Sequence, residues 1–597
     1  MASEPRARYD ERLRARRSTA ARTERRQRLL GNLRLATFLA GAAAAWPLLA
    51  AGQSASWLVA PVALFAALVL AHGAARREHT RALRAVAFYE RGLARLAGRF
   101  AGLGRSGEAF GDPEHPYAAH LDLFGHGGMF ELLSNAQTRA GVVTLAGWLL
   151  EAAPPGEVRE RQRAVEELRG SLELREDLAV LGPEASEGLD PDALAAWGRA
   201  PARTTRPAAR VAAAALAGAI IGSLTVLPVL GAGPLLATVL LELGFWLPFR
   251  SRTRGVARAV ARPLRDLALL AELLERIEHE RFCAPALVAQ QAALDTDGIP
   301  PSREIARLRR LVDLLEQRRN QLFTLVAPFL LWSTQLGFAI EAWRARCGPH
   351  LGAWLAAIGQ LEALADLSGY AFEHPDDPFP ELLDGAPLFD GEGLSHPLLD
   401  TERAVRNDVR LDREHALLVV SGSNMSGKST LLRTIGTNAV LAQAGAPVRA
   451  RRLRISPLAV GASLVVRDSL QDGTSHFYAE IRRLRRVVDL CDGPLPLLFL
   501  FDEILAGTNS HDRGIGAAAV VRGLVERGAI GLLTTHDLAL ARIADEMAPR
   551  AANVHFEDQL ADGRMSFDYR LRPGVVTRSN ALALMRSIGL QVGDVPA

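Results

Sequence analysis

A single lysine, Lys428, stands among the 70 lysine and arginine residues of this 597-residue chain. It closes the run Gly422, Ser423, Asn424, Met425, Ser426, Gly427, Lys428, Ser429, Thr430, the pattern G-x-x-x-x-G-K-[ST] of a phosphate-binding loop. Such a loop constrains its surroundings. A buried strand must deliver it and a helix must follow it, so that backbone N–H groups converge on an anion. Arginine serves as well as lysine on a solvated face. Inside the loop the site needs a compact ammonium on a thin stem, and a planar guanidinium is too wide. One lysine, kept where arginine fails, points to a nucleoside triphosphate.

The flanks agree. Ala416–Val420 is an apolar run that reads as a buried strand, and a helical pattern opens near Lys428. All nine loop residues are expected on the nucleotide, with the Ser429 hydroxyl on Mg²⁺. Leu497–Phe501 is a second apolar strand, and it ends in Asp502 and Glu503. Asp502 is expected to hold the metal, mostly through water, and Glu503 to orient and polarise the attacking water. A third strand ends in Thr534-Thr535-His536. His536 is expected to reach the γ-phosphate from the far edge of the sheet.

Mean hydropathy is +0.08, somewhat high for a soluble chain. Residues 1–34 carry eleven arginines against four acids. Leu35–Ala51 and Trp57–Gly73 follow, both without charge, joined by a short polar stretch and followed by Arg76, Arg77, Arg81 and Arg84. Two such runs read as a helical hairpin through a bilayer. The grammar repeats. Arginines 199, 203, 206 and 210 precede Val211–Leu230, a Gly-Ala-Gly-Pro turn follows, then Leu235–Phe249, then Arg250, Arg252, Arg254 and Arg258. Glu242 interrupts the second arm, so a re-entrant or partner-facing helix is the alternative there. Basic flanks on one side of both hairpins place the N-terminus, the middle and the C-terminal half in the cytoplasm. Leu322–Ile340 is apolar enough to span, but a fifth span would put the phosphate loop outside, and it reads as one buried core helix. Cys283, Cys347 and Cys491 are far apart and suggest neither disulfides nor a metal cluster. Arginine- and alanine-rich usage suggests a GC-rich bacterial genome, and the hairpins with their basic flanks then imply a bacterial cytoplasmic membrane, with membrane lipid as a partner.

The expected boundaries are a basic N-terminus (1–34), hairpin one (35–73), helical segments (78–200 and 255–373) around hairpin two (211–249), a Pro/Asp-rich linker (374–392), and an α/β domain (393–597). The fold class is α plus α/β.

From His396 onward the sequence resembles the ATPase domain of the MutS family of DNA mismatch-repair proteins. The matching pieces are Gly393-Leu-Ser-His396-Pro397, Asn407-Asp408, Ser421 to Thr430 with its Asn424-Met425, Leu441 to Gly445, Ser475-His-Phe-Tyr-Ala-Glu480, Phe501-Asp-Glu503, Gly507 to Asp512, and Thr534-Thr-His536. Upstream, His120 to Gly125, Thr138 to Gly141 and Leu361 to Ala365 resemble the family's core and lever. The resemblance implies an ABC-type P-loop ATPase that uses ATP and Mg²⁺. It also implies a homodimer through this domain, with Ser475 reaching the γ-phosphate of the opposite subunit, and binding to DNA beside repair partners. No mismatch-reading or connector domain is expected before the lever, and no nuclease-like tail after the ATPase. The second hairpin stands where the family has a DNA clamp. Ala404 occupies the position of an aromatic that packs on adenine. Phe88-Tyr89-Glu90 imitates a mismatch-reading motif but follows a membrane segment, and we read it as coincidence.

Two other readings compete. One is a membrane machine that borrows this motor without DNA. An ABC transporter would carry Leu-Ser-Gly-Gly-Gln before the acidic strand, where this chain reads Asp472-Gly-Thr-Ser-His-Phe477. The other is an ATP-binding switch that barely hydrolyses, against which Lys428, Asp502, Glu503 and His536 argue.

Overall fold

The computed structural model describes residues 3–50, 55–186, 190–201, 207–317, 326–400, 402–423, 425–464, 476–505, 508–561 and 564–576. They form two compact units. One comprises Met1–Asn135, Leu145–Leu172 and Leu364–Ala597, and the other Ala136–Thr144 and Glu173–Ala363.

In the first unit the arginine-rich start and the first apolar run are one helix, α1 (Ser3–Ala50). No proline lies between Pro5 and Pro47 to end it. Its partner, α2 (Val59–Leu96), runs on through Arg76 to Arg84, so the segments expected on either side of residue 73 share one helix. At 1.5 Å per residue α2 is about 57 Å long, whereas about 20 residues cross a bilayer. Its apolar window is 6% buried, and Trp57, Val59, Val62, Leu64 and Leu70 face outward. The other end is rooted. Arg95 donates to Glu373 from Nε at 2.8 Å and from Nη2 at 2.6 Å, and Nη1 reaches Asn135. The Tyr9 hydroxyl donates to the same Glu373 carboxylate at 3.0 Å. Burial alone would lower the Arg95 pKa; the Glu373 charge and hydrogen bond outweigh it and raise it. Tyr9 also meets the rings of Tyr89 and Phe372 at 5.8 and 5.2 Å. Phe88 and Tyr89 are thus buried packing at the hairpin root, and Glu90 pairs with Arg17.

In the second unit α3 (Pro207–Leu230) and α4 (Gly233–Ala259) form the second hairpin, turning at Gly231 with φ +66°. The apolar window of α3 is 22% buried. Glu242 is buried inside this unit rather than facing outward. Helix α7 (Trp332–Cys347) packs against both arms of the hairpin, and α6 (Pro301–Glu316) packs against α7 and α5 (Ala261–Glu278). The expected single helix over Leu322–Ile340 does not form. Residues 322–325 lie outside the described residues, Ala327–Leu330 is a 3₁₀ turn, and Leu331 takes φ +46° before α7 begins. Pro328 lacks the N–H that a continuous helix needs. Leu336, Phe338 and Ile340 are buried.

Helix α8 (Leu351–Glu373) begins in the second unit and ends in the first. The Pro/Asp-rich segment after it is not a free linker. Buried Asp377 pairs with buried Arg449 at 3.0 Å, and the Pro378 carbonyl accepts from Val448. Within the segment, β1 (Glu381–Leu382) pairs with β5 (Arg452–Ile455), and β2 (Phe389–Leu394) pairs with β3 (Asn407–Leu411). These four strands form one sheet. The prolines and aspartates there staple the chain to the domain that follows.

The main sheet has the order β10-β9-β4-β8-β7-β6. β4 (Leu417–Ser421), β6 (Ala459–Ser463), β7 (Leu497–Asp502), β8 (Ile530–Thr535) and β9 (Ala551–Ala561) are parallel, and β10 (Arg564–Pro573) is antiparallel. β4 and β8 are buried throughout, as the continuous apolar runs require of strands covered on both faces. α9 (Lys428–Ala444) leaves β4 through the phosphate loop. α10 (His476–Asp489), α11 (Ser510–Glu526) and α12 (Leu538–Glu546) complete the domain.

Candidate nucleotide-binding site

Strand order sets the site. β8 lies between β4 and β7, with Val420 opposite Thr534 and Asp502 opposite Thr534. The loops that leave the ends of these three neighbours therefore converge. His536 follows the middle strand, not a far edge as its sequence position suggested. The reason is that β8, although last of the three in sequence, is inserted between the other two.

Gly427 takes φ +105°, a conformation that favours glycine, and a Cβ there would stand 3.2 Å from the Tyr569 ring. Lys428 is 5% exposed. Its Nζ donates to the carbonyls of Gly422 at 2.8 Å and Ser423 at 3.0 Å and lies 3.4 Å from Glu503 Oε1. Glu503 Oε2 lies 3.1 Å from His536 Nδ1. The Thr534 hydroxyl donates to Asp502. Glu503 is held at φ +48° and Leu505 at +59°, and the Glu503 N–H donates to the Thr534 carbonyl and hydroxyl. Non-glycine residues at positive φ persist where surroundings over-determine them. Here buried Glu480 of α10 accepts the Leu505 N–H, and Arg513 of α11 donates to the Ile504 carbonyl.

A cavity of about 860 Å³ opens over the loop. Ser423, Met425, Gly427, Lys428, Ser429 and Thr430 line it, with Asp502 and Glu503 opposite. The Ser423 and Ser426 hydroxyls are buried without a partner, as donors awaiting an anion would be. Asn424 and Ser475 lie outside the described residues, as does Gly507. A hydroxyl (Ser429) and a carboxylate (Asp502) on one cavity suit a hard cation such as Mg²⁺.

Of the lining residues that escaped the sequence reading as site residues, three carry chemistry of note. Tyr569 sits at φ +54° in the irregular stretch of β10 between Phe567 and Leu571, which folds it back over the loop. Asn407 holds that stretch, donating to the Tyr569 carbonyl at 3.0 Å and accepting from Leu571 N–H at 2.8 Å. So although Ala404 lines the wall, the cavity does have an aromatic. The alternating Phe567 and Tyr569 were the available signal. His396 also lines the cavity, its Nδ1 accepting from Leu398 N–H while Nε2 is buried without a partner. Burial, with Arg433 assisting, lowers its pKa to about 4.

Comparison with known proteins bears on this region. Residues 418–593 match MutS domain V. The chain carries a MutS domain V. The chain is similar to "Endonuclease MutS2" of Thermus thermophilus, with 34% identity over 203 residues, 33% of this chain and 25% of the relative. A longer match, to "Endonuclease MutS2" of Anaeromyxobacter sp., has 31% identity over 366 residues, 57% of this chain and 44% of the relative. "DNA mismatch repair protein MutS" of Natronomonas pharaonis is 36% identical over 208 residues, 33% of this chain and 23% of the relative. The chain thus spans between 23% and 44% of the length of these relatives. Outside MutS domain V the described residues offer two helices long and apolar enough to cross a membrane, Val59–Leu96 and Ala208–Leu230.

Proposed function

We propose that the chain is a membrane-anchored, Mg²⁺-dependent ATPase that works on DNA as a homodimer, in mismatch repair or recombination. The observation that carries the ATPase reading is the line Lys428–Glu503–His536, with gaps of 3.4 and 3.1 Å. Glu503 is placed to polarise the attacking water, with His536 orienting its carboxylate. Lys428, released from the loop carbonyls, meets the β- and γ-phosphates as a point charge. Met425, exposed at the cavity, and the Tyr569 ring suit the base. Ser429 and Asp502 would hold Mg²⁺, which would supply positive charge to offset that of the phosphates. Ser475 completes the site of a second copy, and the names of the relatives motivate the DNA partner.

Membrane anchoring rests on the exposed apolar surface of α1 and α2. A soluble core helix of that composition would be mostly buried, and this window is 6% buried. The test is the ATPase rate of the detergent-solubilised full chain, with Lys428→Ala as blank. It is run without DNA and with homoduplex, mismatched and branched DNA at fixed salt. A rate absent from the native protein overturns the ATPase reading, and a rate indifferent to every DNA overturns the DNA reading. One observation favours a membrane machine in that second case: hairpin one is clamped by Arg95 and Tyr9 to Glu373 in the unit that holds the ATP site.

A further inference from the structure

Within the second unit, a cavity of about 410 Å³ lies between α4, the turn Ala327–Leu331 and the start of α7. Its walls are mostly apolar or aromatic, among them Leu243, Trp246, Phe329 and Trp332. Glu242 opens onto it. This residue is 5% exposed, and its Oε1 is buried with no hydrogen-bond partner. Arg250, two turns along the helix, is about 12 Å away at 1.5 Å per residue. Its guanidinium stands over the Trp246 ring at 5.6 Å instead.

A carboxyl withdrawn from water without a partner costs several kcal/mol. The chain leaves Oε1 without a partner and leaves room beside it. The group that compensates it best is a protonated amine, through a charge-assisted hydrogen bond. Trp246, Phe329 and Trp332 suit the same choice, because aromatic faces attract cations and accept apolar chains. A divalent metal wants several oxygen ligands, and the lining offers one carboxylate. Arg250 and Arg254 at the other end repel a second positive charge. We infer that this cavity binds an amphiphilic monoamine, its nitrogen on the Glu242 carboxylate and its apolar body against Leu243, Trp246, Phe329 and Trp332. The inference is independent of the ATP site, and it holds whether or not α4 crosses a bilayer.

The experiment uses the full chain in phosphatidylcholine nanodiscs and follows tryptophan fluorescence. The probes are decylamine, decanol and decanoate at neutral pH, which share a chain and differ in head group. The expected result is saturable binding of decylamine at least tenfold tighter than either other probe. Glu242→Gln should erase that preference while leaving decanol unchanged. Leu243→Trp, which fills the cavity and keeps the acid, should remove binding of all three, with helical content checked by circular dichroism. Equal binding of the three probes, or decylamine binding unmoved by Glu242→Gln or Leu243→Trp, overturns the proposal.

Discussion

The two hairpins share one sequence grammar, arginines, apolar arm, turn, apolar arm, arginines, yet they are built to opposite chemical rules. At the root of the first, the buried carboxylate is matched: Arg95 and Tyr9 both donate to Glu373. In the second, Glu242 is buried with an unpartnered oxygen beside an open cavity. A satisfied buried cluster fixes geometry, whereas an unsatisfied one keeps a place for something else. Hydropathy finds both hairpins and cannot tell a root from a site.

The largest effect concerns the separation of the two units. Lys428→Ala and Glu503→Gln should each lower ATP hydrolysis by at least about 100-fold, as loss of a preorganised charge or base does. Decylamine affinity in the second hairpin should stay within about twofold, on the additivity of distant sites. A parallel loss of amine binding in either variant would show that the units do not carry separate sites.

Stability contrasts the hairpins more directly. Arg95→Met leaves Glu373 buried beside one remaining donor and should cost about 3–5 kcal/mol. The double change Arg95→Met with Glu373→Leu should recover most of that, because replacing both partners of a buried pair is often neutral. In the other hairpin Glu242→Leu should be neutral or stabilising, since it removes an uncompensated group. Thermal unfolding of the three variants beside the native chain, in one detergent, reads the sign of each. A loss at Glu242 as large as that at Arg95 would erase the distinction between root and site.

Acid should act on the first unit through His396. Its pKa is lowered to about 4 in the folded chain, so between the ordinary histidine value and 4 the unfolded state binds the extra proton. The stabilisation is complete above pH 6.5 and falls as pH drops toward 4, by about 3 kcal/mol in all. His396→Gln should flatten that slope in unfolding melts of the full chain taken from pH 7 to pH 4.5. An unchanged slope would place the acid sensitivity elsewhere.

The phosphate loop, the acidic strand and His536 were legible because each is a contiguous segment at a strand end. Local pattern encodes that much. Which strand lies between which others is not local, and this is why His536 was expected at an edge. Tyr569 escaped because it reaches the site only through an irregular hairpin at positive φ. The Arg95–Glu373 pair joins residues 278 positions apart, beyond any periodicity argument. The Pro/Asp-rich stretch misled because the residues that mark a linker also make tight, buried staples, as Asp377 does with Arg449. Leu322–Ile340 misled because hydropathy alone does not register the turn at Pro328 and Leu331.

The smallest prediction tests the same contrast with one methyl group. A Cβ on Gly92 in α2 would meet the Tyr9 ring at 2.5 Å. Tyr9 is 1% exposed and tied to Glu373, so the ring cannot swing aside. Gly92→Ala should therefore cost about 1–3 kcal/mol, the usual range for overpacking, despite the better helix propensity of alanine. Gly244 in α4 has nothing within 4 Å of the corresponding Cβ. There only propensity acts, and Gly244→Ala should stabilise by up to about 1 kcal/mol. The pair of melts has opposite expected signs, so a common error in detergent or concentration cannot imitate the result. Equal shifts would mean that the root of the first hairpin is as loosely packed as the lipid-length arm of the second.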